Sequence, residues 1–152
     1  MIFDFGMKIV YHNRKVRAEA QGCTFVSFEE LLAASDVVSI NAFLSPETEG
    51  RFGLSEFQAM KPGAYLVNTS RGPLVKEAEL VQALKDGLIA GAGLDVYEHE
   101  PLVHPELLKM ENVVLLPHLG SAAKEVRSRM SLMVADNIIA FFHGEDPPNR
   151  VV

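Results

Sequence analysis

Short β-rich runs alternate with amphipathic stretches along nearly the whole chain, and this alternation restricts the fold more than any other feature. A strand, a helix and a second strand in succession close most readily as a βαβ unit, so the pattern predicts a parallel α/β architecture. The runs expected as strands are Met7 to Tyr11, Thr24 to Val26, Val37 to Asn41, Ala64 to Asn68, Ala90 to Val96 and Val113 to Leu116. Their apolar character is continuous rather than alternating, which predicts a sheet covered on both faces.

The helices are read from spacing and from their ends. Ser27 can cap a helix over Phe28 to Ala34, with Glu29 and Glu30 favourably placed in its first turn. A second helix is expected around Glu77 to Asp86, with Leu80, Ala83, Leu84 and then Leu88 on one face and Gly87 as its stop. The longest follows Ser121. Its stripe of Val126, Met130, Met133, Val134, Ile138 and Phe141 predicts core packing, and Gly144 with Pro147 and Pro148 ends it. No repeat, low-complexity segment or dividing linker interrupts the 152 residues, which suffice for one sizeable core.

Charge narrows the partners. A formal net charge of -6 argues against nucleic acid, whose phosphates need a basic surface. A single cysteine, Cys23, excludes an internal disulfide and a cysteine-cluster zinc site; it reads as a small buried or half-buried residue. No metal site is expected. The start of the chain has no cationic lead and no apolar run suited to a signal peptide, and no segment approaches the roughly 20 apolar residues of a membrane span. A cytoplasmic protein is therefore expected.

In open parallel α/β sheets, ligands bind beyond the carboxyl ends of the strands. Arg71 follows the Ala64 strand, Asp95 and Glu100 follow the Ala90 strand, and His118 follows the Val113 strand. Reduction of a 2-oxo acid requires this set of groups. A guanidinium pairs with the substrate carboxylate through two parallel bonds. Histidine supplies a proton to the carbonyl oxygen. A carboxylate beside the imidazole favours its protonated form and orients the ring, a role open to Glu100.

Five segments carry a specific resemblance: Ser45-Pro46-Glu47-Thr48-Glu49-Gly50, Met60-Lys61-Pro62-Gly63-Ala64, Asn68-Thr69-Ser70-Arg71-Gly72, Gly91-Ala92-Gly93-Leu94-Asp95-Val96 with Glu100-Pro101, and Pro117-His118-Leu119-Gly120-Ser121. Their order and approximate spacing resemble those of the D-isomer-specific 2-hydroxyacid dehydrogenases. The resemblance implies a Rossmann-like, doubly wound parallel sheet. It also implies catalytic roles for Arg71 (substrate carboxylate), His118 (general acid/base) and Glu100 (its partner). Thr69, Asp95 and Gly120 would bind the cofactor, Asp95 at its nicotinamide end. The related formate dehydrogenases carry glutamine where Glu100 stands, which disfavours that branch.

The residue that ends the second strand of such a domain reads the adenosine ribose, and an acid there favours NAD. This chain has Tyr11-His12-Asn13-Arg14-Lys15 instead. Asn13, Arg14 and Lys15 suit a 2′-phosphate, so NADP(H) is expected over NAD(H). The same stretch resembles the glyoxylate/hydroxypyruvate reductase subgroup, with a homodimer and a small 2-oxo acid as expected partners. A non-catalytic nucleotide-sensing or corepressor-like module of the same fold is the alternative.

Only Met1 to Gly6 precede the Met7 strand, and they read as the end of a helix. The family's first strand and its G-x-G-x-x-G loop are thus expected to be missing. Residues 1–152 are then a partial NAD(P)-binding domain, ending in the helix that leads back to a substrate domain in the family. In the strand order 3-2-1-4-5-6 the first strand is central. Its absence predicts either direct pairing of the Met7 and Val37 strands or cover from a second chain, with little activity in the chain alone.

Overall fold

The computed structural model describes residues 6–20 and 22–151. The helix end expected at the start of the chain falls largely on residues 1–5, outside the described residues. The chain forms two compact units, Met1–Leu116 and Pro117–Val152.

Among the described residues, six strands and three α-helices build the first unit in the order β1 (Val10–Tyr11), β2 (Thr24–Phe25), α1 (Phe28–Ala34), β3 (Val37–Ile40), α2 (Leu54–Ala59), β4 (Tyr65–Asn68), α3 (Glu77–Lys85), β5 (Gly91–Leu94) and β6 (Val113–Leu115). Among the described residues, every pairing between these strands is parallel. They make two sheets, β1-β2 and β3-β4-β5-β6. The Met7 and Val37 strands therefore do not pair: β1 bonds to β2, and β3 is one edge of the larger sheet. The α/β class is as the sequence predicts. The first strand is shorter, because only Val10 and Tyr11 find ladder partners in Thr24 and Phe25.

Local chemistry explains where the helices begin and end. At α1 the Glu30 N–H donates to Ser27 Oγ (3.1 Å), and the Ser27 N–H donates to Glu30 Oε2 (2.9 Å), a complete capping box. Helix α3 stops at Gly87, whose φ of 67° suits glycine. There Leu88 N–H donates to Ala83 O (2.9 Å) and Gly87 N–H to Leu84 O (3.3 Å), the paired bonds of a Schellman motif. Helix α2 has only Leu54 and Phe57 to announce it, too few residues for a helical period to be visible in the sequence.

The core lies on one side of the larger sheet. In register across it, Val38, Leu66 and Ala92 form one row, and Ile40, Asn68 and Leu94 the next. The apolar members of these rows pack with Leu32 of α1, Phe57 of α2, and Leu80, Val81, Ala83 and Leu84 of α3. Each valine, leucine, isoleucine or phenylalanine among them contributes roughly 1.5–3 kcal/mol when fully buried. The intervening positions point the other way, where Val37 is 44%, Tyr65 51% and Val114 64% exposed. The expectation of cover on both faces is thus corrected. Helices α1 to α3 share the one core, and the opposite face carries its apolar side chains into the open.

The second unit consists mainly of α4 (Lys124–Phe142), closed at Gly144 (φ 74°) by a second Schellman pair, Glu145 N–H to Ala140 O and Gly144 N–H to Phe141 O. Val126, Met130, Met133, Val134, Ile138 and Phe141 are exposed, against the expectation of core packing; only Ala140 of the helix is buried. Leu132, Ile139 and Phe142 are exposed as well, so apolar residues surround the helix rather than forming one buried stripe. No helix among the described residues is long and apolar enough to cross a membrane.

Glu106 links α3 to the loop before β6. Lys109 Nζ donates to one carboxylate oxygen (2.6 Å) and Lys85 Nζ to the other (2.8 Å). Those bonds, Lys109's first, bring the Glu106 carboxyl down from 4.5 to about 2. A lowered folded-state pKa stabilises above the unfolded value, and the gain fades as pH falls from about 4.5 through about 2. Glu106→Gln is expected to lower the melting temperature slightly at neutral pH, because solvent screens this half-buried surface group. The difference from wild type should shrink as pH falls through 2. An equal difference at pH 7 and pH 2 would contradict the ion-pair origin.

Candidate functional site

The loops beyond the carboxyl ends of β4 and β5 form one continuous structure. Strand β4 ends in Asn68, a buried amide that organises the next three residues. Its Oδ1 accepts from the Ser70 N–H (3.1 Å), and its Nδ2 donates to the Arg71 carbonyl (3.0 Å). This bracing closes the turn and leaves Thr69 and the Arg71 side chain exposed. Ser70 Oγ donates to Ala42 O (2.6 Å), tying the turn to the chain beyond β3. One guanidinium nitrogen, Arg71 Nη1, donates to Ser70 O (2.7 Å). The guanidinium has five donors, so others remain for a carboxylate.

Strand β5 delivers Asp95, 4% exposed, whose N–H continues the ladder by donating to Asn68 O (3.0 Å). Beyond it, buried Tyr97 makes several connections at once. Its hydroxyl donates to Leu116 O (2.6 Å), joining the β5 end to the β6 end, and its N–H donates to Glu100 Oε1 (3.1 Å). Burial pushes the Tyr97 phenol up, and the charge of Asp95 and then those of Glu77 and Glu100 act in the same direction; its bond to Leu116 O opposes them. Glu100 itself is exposed and precedes a cis bond to Pro101.

Gly72 brings the two loops together. It is buried against the Tyr97 carbonyl and the Glu98 N–H, so closely that a Cβ would overlap the Tyr97 backbone. The residue after Arg71 thus abuts the backbone that holds Glu100. Sequence reading selected Arg71, Asp95 and Glu100 but missed Asn68, Gly72 and Tyr97. The available signal was the Asn68 to Gly72 motif itself, where a buried amide and a side-chain-free residue flank the turn.

His118 and Gly120 belong to the second unit, just after β6 in the chain. His118 is exposed and holds φ at 55°, the one non-glycine residue with positive φ among the described residues. Histidine is among the side chains enriched there, and such backbone collects at functional sites.

Asn13, Arg14 and Lys15 follow β1. The Arg14 N–H donates to Asn13 Oδ1 (2.9 Å), shaping the turn and leaving Arg14 and Lys15 exposed. The preceding His12 is held by its Nδ1 contact with Val26 O (3.0 Å) and by Phe28, with ring centroids 5.7 Å apart. Arg14 also reaches the field of Glu47, whose carboxyl is lowered chiefly by its bond from Ser45. Arg14 and Lys15 thus stand as two exposed cations on an anchored turn.

Parallel α/β sheets with a basic turn beyond a strand of the smaller one and polar loops beyond adjacent strands of the larger have the construction of a nicotinamide-dinucleotide-binding domain. The chain belongs to the D-isomer specific 2-hydroxyacid dehydrogenase family, whose NAD binding domain matches residues 1–120. It is 51% identical over 150 residues to a glyoxylate reductase from Thermococcus litoralis, covering 97% of this chain and 45% of that protein. Among solved structures, an NADPH-dependent glyoxylate/hydroxypyruvate reductase from Sinorhizobium meliloti superposes with a TM-score of 0.91 at 38% identity, covering 99% of this chain and 47% of the other. D-lactate dehydrogenase with NAD+ from Lactobacillus jensenii gives 0.89 at 30% identity, with 99% and 50% covered. The chain spans about half the length of these relatives.

Proposed function

We propose that the protein is an oxidoreductase that reduces a small 2-oxo acid, such as glyoxylate or hydroxypyruvate, with NADPH. The bound nicotinamide dinucleotide supplies the hydride. The observation that carries this reading is the packing of Gly72 on Tyr97, which joins the Arg71 turn to the Glu100 loop at adjacent strand ends. In this reading Arg71 pairs with the substrate carboxylate through its remaining donors. His118 donates the proton to the carbonyl oxygen, and Glu100 orients the imidazole. Asp95, Thr69 and Gly120 line the nicotinamide end, and Asn13, Arg14 and Lys15 receive the 2′-phosphate. The names of the similar glyoxylate reductases support the substrate class. A homodimer and a cytoplasmic location are part of the same reading, resting on the family resemblance.

The reading is tested by following NADPH oxidation by the full-length protein with glyoxylate and with hydroxypyruvate. Turnover supports it; cofactor binding without turnover of any 2-oxo acid would favour the nucleotide-sensing alternative. Cofactor choice has its own test. Arg14→Ala with Lys15→Ala is expected to weaken NADPH binding about tenfold to hundredfold, the loss of one or two charge-assisted contacts at about 1.4 kcal/mol per factor of ten. NADH binding should be unaffected. Equal affinity of the unaltered protein for the two cofactors would refute the preference.

A further inference from the structure

Glu77 opens α3, yet its carboxylate is turned inward and the residue is only 6% exposed. Both oxygens are engaged by a single loop. Oε1 accepts from the Glu98 N–H at 2.7 Å, and Oε2 accepts from the His104 N–H at 3.1 Å. In return, Glu98 Oε2 accepts from the Glu77 N–H at 2.9 Å. Between the two gripped amides lie Glu100 and Pro101. Glu100 Oε1 meanwhile accepts from the N–H of Tyr97, the residue next to the grip.

We propose that Glu77 is a positioning residue for Glu100, its buried carboxylate clasping both ends of the loop that presents that side chain. The inference rests on the role given to Glu100 above and deepens it. An ionised carboxylate is acceptor-only, so it can serve two N–H groups at once. Bonds of this kind are shorter and stronger than those between neutral groups. A glutamine in its place keeps one acceptor and turns an NH2 donor towards the other amide, so one end of the loop is released. Glu98 is not equivalent. Its share of the clasp uses one oxygen, which a glutamine at that position can still supply.

In the full-length protein, Glu77→Gln is expected to lower kcat with glyoxylate by about tenfold to hundredfold, the scale of a displaced catalytic group. Cofactor dissociation constant and KM for glyoxylate should stay within about twofold, because neither Arg71 nor the cofactor residues belong to the clasp. Glu98→Gln should lose no more than about threefold in kcat, as its acceptor survives. If Glu77→Gln fails to fold, Glu77→Asp replaces it. That side chain keeps the charge but is one methylene short of spanning both amides, and the same division between kcat and KM is expected. Retained kcat in the Glu77 variant overturns the proposal. So does a fall in cofactor affinity matching the fall in kcat, which is the mark of general loosening. An equal loss in Glu98→Gln also overturns it. An unaltered protein that reduces no 2-oxo acid would remove the functional reading and this inference together. An active one with an unimpaired Glu77 variant would remove only the inference.

Discussion

In the full-length protein, His118→Ala is expected to lower kcat by about 10²- to 10⁴-fold, the usual contribution of a positioned general acid, while cofactor affinity is retained. The backbone makes a sharper test available. His118 sits at φ 55°, where alanine is strained and asparagine is tolerated. The alanine variant therefore mixes loss of the imidazole with a cost to the backbone. His118→Asn isolates the chemistry, since it keeps a side chain suited to the left-handed region but cannot deliver a proton as imidazolium does. Stability close to wild type with turnover reduced as far as in the alanine variant is the expected result. An asparagine variant that still turns over would limit His118 to shaping the chain and would leave the proton donor unassigned.

Gly72→Ala should destabilise the chain by about 3 kcal/mol or more, the upper part of the usual range for forcing a methyl group into filled space. At roughly 2–4 °C per kcal/mol for a chain of this size, the melting temperature should fall by about 6–12 °C. The sign is decided by contact rather than by dihedral preference. Gly72 does not have a positive φ, and at such positions alanine ordinarily stabilises by about 0.4–1 kcal/mol through the unfolded chain. Here the new Cβ meets the Tyr97 carbonyl and the Glu98 N–H, backbone atoms that no rotamer change can move aside. Gly63, also without positive φ, has open space where a methyl group would sit, with nothing within 4 Å, and serves as the control. Its alanine variant should be neutral or slightly stabilised. If the two variants melt together, the Arg71 turn and the Tyr97 backbone are not in the contact described.

Those elements whose signals are local were legible in the sequence. Ser27 with Glu30 fixes the start of α1, and Gly87 and Gly144 fix the ends of α3 and α4, because caps are determined within a few residues. Strand positions were found to within a residue or two, except at Met7, where pairing depends on the distant Thr24 to Phe25 segment. Burial of whole faces was not legible. The Val37, Tyr65 and Val114 positions are as apolar as those that fill the core, and composition cannot tell which side the helices will cover. For the candidate site, strand-end placement marked Arg71, Asp95 and Glu100. Of the residues that hold them, Gly72, Glu77 and Tyr97 meet backbone groups far away in sequence, and such partners leave no pattern in spacing, whereas Asn68 acts locally on Ser70 and Arg71.

The alternation of covered and open positions in the larger sheet separates two histories of mutation. Val38, Leu66, Ala92 and Leu94 are tied to the helices on their side, so a change in one demands accommodation by several others. Val37, Ser39, Tyr65 and Val114 lie one residue away in the same strands and share none of that constraint. Substitutions there can accumulate in response to whatever meets that face while the register and the strand-end loops stay fixed. Variation at the open positions of these strands would then record past partners, and invariance at the covered positions would record the fold.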